Sequence, residues 1–246
     1  MVDNKQWNLS DIFKVFLFYF FMTLVGIPAF LRLIKQISGL NLIEVFGQNV
    51  VTLSLSLIIN ILTCLYVFYI IRVGYGLSIT SLGFTTRNWK RDVKFGLKHY
   101  LIVLPVIILA GYVVDFISRM FGVEPEQQEI INSILEESSL GVLTFMVFFG
   151  ILAAPIIEEL LFRGFLQSAV RTTFGKLKAI FISGLLFACV HLNAHVFLQI
   201  FILGLLLAYL FEKTGSLIAP ITVHVFHNTA TLAFLISFKY VLKSYV

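Results

Sequence analysis

The chain has 246 residues, 59% hydrophobic and only 13% charged, with a net charge of +5. A soluble domain carries about a quarter charged residues, so this composition cannot cover a water-facing surface, and lipid must be the solvent for most of it. The positive balance does not point to nucleic acid, because the basic residues sit in short clusters between apolar runs, as in the cytoplasmic loops of membrane proteins.

A membrane-spanning helix needs about 20 mostly apolar residues. The apolar runs predict spans over 12–31, 50–71, 100–118, 141–162, 179–193, 196–211 and 217–238. The first run is too long for a signal-peptide core and reads as a retained span. Between the second and third spans lie Arg87, Lys90, Arg91, Lys94 and Lys98, and after the fourth lie Arg171, Lys176 and Lys178. Lys/Arg bias therefore puts the 73–98 and 164–178 loops, and the N-terminus, in the cytoplasm. Arg32, Lys35, Lys239 and Lys243 fall on the opposite side, which an eighth span would resolve. The intervening acidic loop has Ile130, Ile131, Ile134 and Leu135 at helical spacing, predicting an amphipathic helix on the outer surface. Cys64 and Cys189 both lie inside apolar runs, so no disulfide framework is implied. With no long-period repeat and no linker, the expectation is one all-α membrane domain over 1–246, a polytopic bundle of about seven to eight helices.

Ionisable residues inside a span are costly and each needs a reason. Asp115 and Arg119 are four apart and pair as a helix-end ion pair. Lys14, one turn into the first span, is placed to snorkel. The fourth span ends differently, with Pro155-Ile156-Ile157-Glu158-Glu159-Leu160-Leu161-Phe162-Arg163-Gly164. Glu159 and Arg163 share a face and can neutralise each other. Glu158, rotated by about 100°, lacks that partner, and an unpaired carboxylate in a low dielectric is suited to general-base work. The bland alternative, that both glutamates cap the helix end, is opposed by the macrodipole, which disfavours anions at a C-terminus.

Four of the five histidines follow residue 190: His191, His195, His224 and His227. Each alone reads as a packed residue; together with a carboxylate on another span they read as a site. His224 and Asn228 are four apart and face the same way. Pro155 and Pro220 lie just before Glu158 and His224, where kinked backbone at membrane depth implies a wet cavity. Carboxylate and imidazoles without a well-placed Ser or Cys nucleophile indicate an activated water. His-Glu-x-x-His, the common zinc-protease helix, is absent, and His191 with His195 makes a doubtful metal pair because His195 falls in a turn.

At these residues the chain resembles the CPBP family (CAAX protease and bacteriocin-processing, or Abi) of intramembrane proteases. Glu158, Glu159 and Arg163 match its Glu-Glu-x-x-x-Arg motif. Phe187 and His191 match Phe-x-x-x-His, and His224 and Asn228 match His-x-x-x-Asn. The resemblance spans about residues 140–235, which would form the catalytic core, and the N-terminal half matches only as generic spans. It implies an active site inside the bundle, with Glu158 and His191 activating water for attack on a peptide carbonyl. His224 and Asn228 would stabilise the oxyanion, and Glu159 with Arg163 would hold the end of the fourth span. No cofactor is required by this scheme; the metalloprotease alternative is a divalent metal such as zinc on Glu158, His191 and His224. The implied substrates are prenylated or membrane-adjacent peptides, with membrane lipids as the other partners and nucleic acid not among them.

Two readings compete with an endopeptidase: a non-catalytic peptide-binding or bacteriocin self-immunity protein, and a transporter using Glu158 as a proton site, against which the lack of an inverted repeat counts. The short chain without targeting segments suggests a bacterial plasma membrane.

Overall fold

A computed structural model describes residues 6–123, 133, 134 and 136–243 of the chain. Among these residues there is no strand. The main helices are α1 (Leu9–Ser38), α2 (Gln48–Gly74), α3 (Trp89–Met120) and α4 (Leu140–Phe174). They are followed by α5 (Lys176–Cys189), α6 (Phe197–Thr214) and α7 (Ile218–Lys243). Six of them are long and apolar enough to cross a membrane, so this is a multi-pass helical membrane protein. The exception is α5. Its 14 residues extend about 21 Å at 1.5 Å each, short of the roughly 30 Å hydrocarbon core. The fifth predicted span is therefore a helix too short to cross, and no eighth span exists among the described residues. The predicted surface helix around Ile130 and Ile131 lies outside the described residues.

The helices close at one end through contacts between distant segments. Trp7 is buried, stacks on Phe165 and donates its indole N–H to the Phe165 carbonyl at 2.7 Å. Asp11 accepts from the Tyr75 hydroxyl just beyond α2, and this hydrogen bond pushes the Tyr75 hydroxyl pKa up to about 12. Lys14 pairs with Asp11 at 3.0 Å, so its amine is held by a carboxylate and does not merely snorkel. On the same end, Leu217 N–H donates to Gly83 O and Ser216 Oγ to Thr85 O, while Arg171 and Lys176 flank the largely buried Glu212. This is the end that carries the basic loops.

Of three apolar cores among the described residues, two frame the site. One joins α1, α2 and α4 through Val15, Val67, Ile71, Phe165 and Ala169. The other joins α3, α6 and α7 through Tyr100, Leu203, Leu207, Ala219 and Val223. Close helix approach in a membrane needs small residues, because lipid supplies no hydrophobic drive between helices. Gly184 on α5 and Gly204 on α6 meet that need: a Cβ on Gly204 would lie 3.0 Å from Gly184 O. Gly96 does the same for α3 and α7, since a Cβ there would lie 2.9 Å from Ala219 O. Elsewhere the outer surface is apolar, with Phe13, Leu24, Ile102, Tyr112 and Leu177 all turned outward.

The two prolines singled out in the sequence behave differently. Pro220 is the third residue of α7, where the N–H has no helical partner to lose, so it opens the helix and does not kink it. Pro155 lies inside α4, with π-helical turns on both sides at Phe149–Ala153 and Leu160–Gln167. Such wide turns recur at functional sites, and here they bracket both glutamates.

Candidate active site

The site is built on the wide-turn stretch of α4. Arg163 is fully buried, and its guanidinium donates from Nη1 to Glu159 Oε1 at 3.1 Å and from Nη2 to the Gly204 carbonyl at 3.1 Å. Its charge also lies 4.4 Å over the Phe187 ring. One turn further, Gln167 Nε2 donates to Ala208 O at 2.9 Å. Two side chains a turn apart on α4 thus bond two carbonyls a turn apart on α6. An Arg fork can serve two acceptors at once, and the absence of a side chain at Gly204 lets it reach the backbone.

The same carboxylate oxygen of Glu159 takes a second donor. His224 Nδ1 lies 2.8 Å from Glu159 Oε1, and both residues are buried. A carboxylate can only accept here, so Nδ1 carries the proton and Nε2 faces away. Nε2 is 3.8 Å from Glu158 Oε2, too far for a direct hydrogen bond. The relay therefore runs Gly204 O, Arg163, Glu159, His224, and ends facing Glu158.

Glu158 itself remains uncommitted. Its Oε2 is buried without a hydrogen-bond partner, as the 100° separation from Glu159 led one to expect. His191 stands just beyond α5, in the turn that follows Cys189. Its Nδ1 lies 2.7 Å from Phe187 O. Because a carbonyl only accepts, that nitrogen holds a hydrogen, which in the neutral tautomer leaves the lone pair at Nε2. The next residue, Leu192, has φ of 49°, a left-handed conformation that costs a side-chain-bearing residue energy and marks the turn as constrained.

Glu158 and His191 both line a cavity of about 410 Å³ between α1, α2, α4 and the end of α5. Most of its wall is apolar, including Phe16, Phe20, Phe149, Phe162 and Phe165. Polar groups enter from α1 (Tyr19, Thr23) and from α2 (Ser56, Asn60, Thr63). The α2 set was missed in the sequence although it carried a signal: residues 56, 60 and 63 share one face of an apolar span. Tyr19 had no such signal among the many aromatics.

The other expected site residues are near but differently employed. His224 and Asn228 are not among the residues lining the cavity. Asn228 Nδ2 donates to Gly150 O at 2.8 Å. The reason lies in Pro155. In the preceding wide turn Ala154 N–H bonds Phe149 O; the next position is proline, which has no N–H, so Gly150 O is left for another donor. Asn228 thus repairs the ladder that Pro155 interrupts. His227, next to Asn228, contacts the buried Tyr100 hydroxyl through Nδ1 at 3.1 Å, and His195 sits in the turn before α6, where its backbone N–H donates to Asn193. The Asp115–Arg119 ion pair forms at 2.9 Å.

Among the described residues no group of three His, Cys, Asp or Glu side chains is arranged to hold a metal ion, although His191 and His224, each with Nδ1 on an oxygen, keep Nε2 free.

No curated protein and no solved structure matches the chain. Residues 140–230, which carry all three motifs, match the family model described as type II CAAX prenyl endopeptidase Rce1-like, and so bear out the resemblance drawn from Glu158, Glu159, Arg163, Phe187, His191, His224 and Asn228.

Proposed function

We propose that the protein is an intramembrane endopeptidase that cleaves prenylated, C-terminally CAAX-type peptides with a water held between Glu158 and His191. The observation that carries this reading is that Glu158, whose Oε2 has no hydrogen-bond partner, and His191, whose Nδ1 is held by Phe187 O, line the same cavity. A water there donates one hydrogen to Glu158 and the other to His191 Nε2, leaving an oxygen lone pair for the peptide carbonyl carbon. As the new C–O bond forms, one water proton passes to Glu158 and the carbonyl π electrons move to oxygen. Collapse of the tetrahedral intermediate breaks the C–N bond, and Glu158 returns its proton to the leaving nitrogen. The aromatic wall matches a prenyl chain, since pockets of this kind bind through apolar surface and orient through a few polar groups.

In this reading Glu159 and Arg163 fix the position of His224, whose Nε2 faces Glu158 Oε2 at 3.8 Å. Asn228 keeps α4 in the bent form that presents Glu158. Both roles differ from the oxyanion role implied by the family resemblance, because the donors observed on these side chains are already directed at Glu159 and Gly150.

The test is purified protein in nanodiscs with a farnesylated peptide, comparing wild type with Glu158→Gln. Loss of a general base removes about 10²–10⁴ in rate, so cleavage by the variant should fall by that factor with the fold intact. Wild-type cleavage by Glu158→Gln would overturn the reading in favour of a binding role. A chelator arm decides the peptidase class: activity lost in chelator and restored by zinc would replace the glutamate mechanism with a metal one.

A further inference from the structure

An oxyanion forming in an apolar cavity needs a preorganised donor within hydrogen-bond reach, and the cavity wall offers few. Thr23 Oγ1 donates to Tyr19 O and Thr63 Oγ1 to Ile59 O. Asn60 Nδ2 directs one of its two N–H groups at Ser56 Oγ, and an amide N–H is a much weaker acid than a phenol. His191 Nδ1 is bonded to Phe187 O, and its Nε2 is the water's acceptor. Two hydroxyls remain on the wall without a hydrogen bond to donate among the described residues, those of Tyr19 and Ser56. They are not equivalent. A phenol is a far stronger acid than an alkyl alcohol and so a stronger donor to a developing alkoxide. Tyr19 also stands on α1 and lines the same cavity as Glu158 and His191.

We propose that Tyr19 is a further catalytic residue, its phenolic O–H donating to the oxyanion of the tetrahedral intermediate. The inference rests on the peptidase reading above and supplies the donor which that reading lacks. As water adds to the peptide carbonyl, the π pair moves onto oxygen and the Tyr19 O–H hydrogen bond shortens without giving up its proton; when the C–N bond breaks, the carbonyl re-forms and the bond relaxes. The position of Tyr19 is well supported. Just after it, α1 widens into the Met22–Gly26 turn and then meets Pro28. The other end of α1 is pinned by Trp7 to Phe165 O on α4 and by Asp11 to Tyr75 beyond α2. This gives the N-terminal half, which lies outside the family match, a direct part in the chemistry.

The experiment uses the full chain in nanodiscs, with the farnesylated peptide as substrate and a phosphinic analogue of it as an anionic tetrahedral probe. Removing one oxyanion donor lowers kcat by about 10²–10³. Tyr19→Phe should show that loss with KM and melting temperature unchanged, and should weaken the phosphinic probe in parallel, while Tyr112→Phe, on the outward-facing surface of α3, leaves both unchanged. Wild-type kcat in Tyr19→Phe, or a rise in KM alone with unaltered probe affinity, overturns the proposal. Should Tyr19→Phe melt early, 3-fluorotyrosine at position 19 decides, since it keeps the shape and makes the hydroxyl more acidic: kcat that tracks the acidity supports the role, and kcat indifferent to it overturns the role. The two readings fail separately. An active Glu158→Gln sinks the peptidase itself, whereas an inactive Glu158→Gln beside a fully active Tyr19→Phe sinks only the tyrosine.

Discussion

Glu158 and Glu159 are adjacent in the chain and identical in chemistry, yet α4 turns them toward opposite circumstances. The Glu159 face is sealed: its carboxylate receives Arg163 and His224, and Arg163 continues to the Gly204 backbone. The Glu158 face opens on a cavity; each carboxylate leaves its Oε2 without a donor, but only Glu159 receives two donors on its other oxygen. A rotation of about 100° around one helix thus divides a carboxylate tied into the bundle from one that faces a cavity. The lesson is that two adjacent carboxylates need not serve one purpose.

This contrast can be broken by substitutions on either face. The largest change expected is Glu158→Gln, with a rate loss of about 10²–10⁴ and a thermal melt indistinguishable from wild type. On the sealed face the signs reverse. Arg163→Met leaves Glu159 charged and buried with its chief partner gone, and breaking a buried pair in this way costs about 3–5 kcal/mol. It should appear as a lowered melting temperature and poor recovery from the membrane, and Arg163→Lys should rescue little because an ammonium cannot fork to Glu159 and Gly204 together. If Glu158→Gln and Arg163→Met proved equally destabilising, the division between the two faces would be lost.

A smaller effect should come from the helix contact behind the relay. Gly204→Ala pushes a methyl against the Gly184 backbone, and overpacking of this kind costs about 1–3 kcal/mol; the melt should fall while any remaining folded enzyme keeps its KM. The smallest is Trp7→Phe, which keeps the stacking on Phe165 but deletes the N–H bonded to its carbonyl. A buried carbonyl left without its donor costs about 1–3 kcal/mol, readable as a modest drop in melting temperature. If cleavage also slows, α1 is shown to be positioned through this contact, which sharpens the place of Tyr19 on the cavity wall.

Much of this could be read without coordinates, and the particular residues show why. The number and order of apolar helices followed from the length of uninterrupted hydrophobic runs, since only lipid tolerates them. The Glu159–Arg163 and Asp115–Arg119 pairs followed from a spacing of four, which any helix converts into contact. The isolation of Glu158 followed from the same rotation. These are local consequences of helix geometry, and local geometry is all that spacing encodes. Tertiary structure alone decided that α5 ends at Cys189 and sets His191 in a turn beside the cavity. It also decided that Arg163 continues to Gly204, that Asn228 serves the carbonyl freed by Pro155, and that Trp7 and Tyr19 reach across to α4. Each depends on where helices far apart in sequence cross and how closely they approach, which is settled by packing side chains and glycine gaps against one another and leaves no periodic trace along the chain.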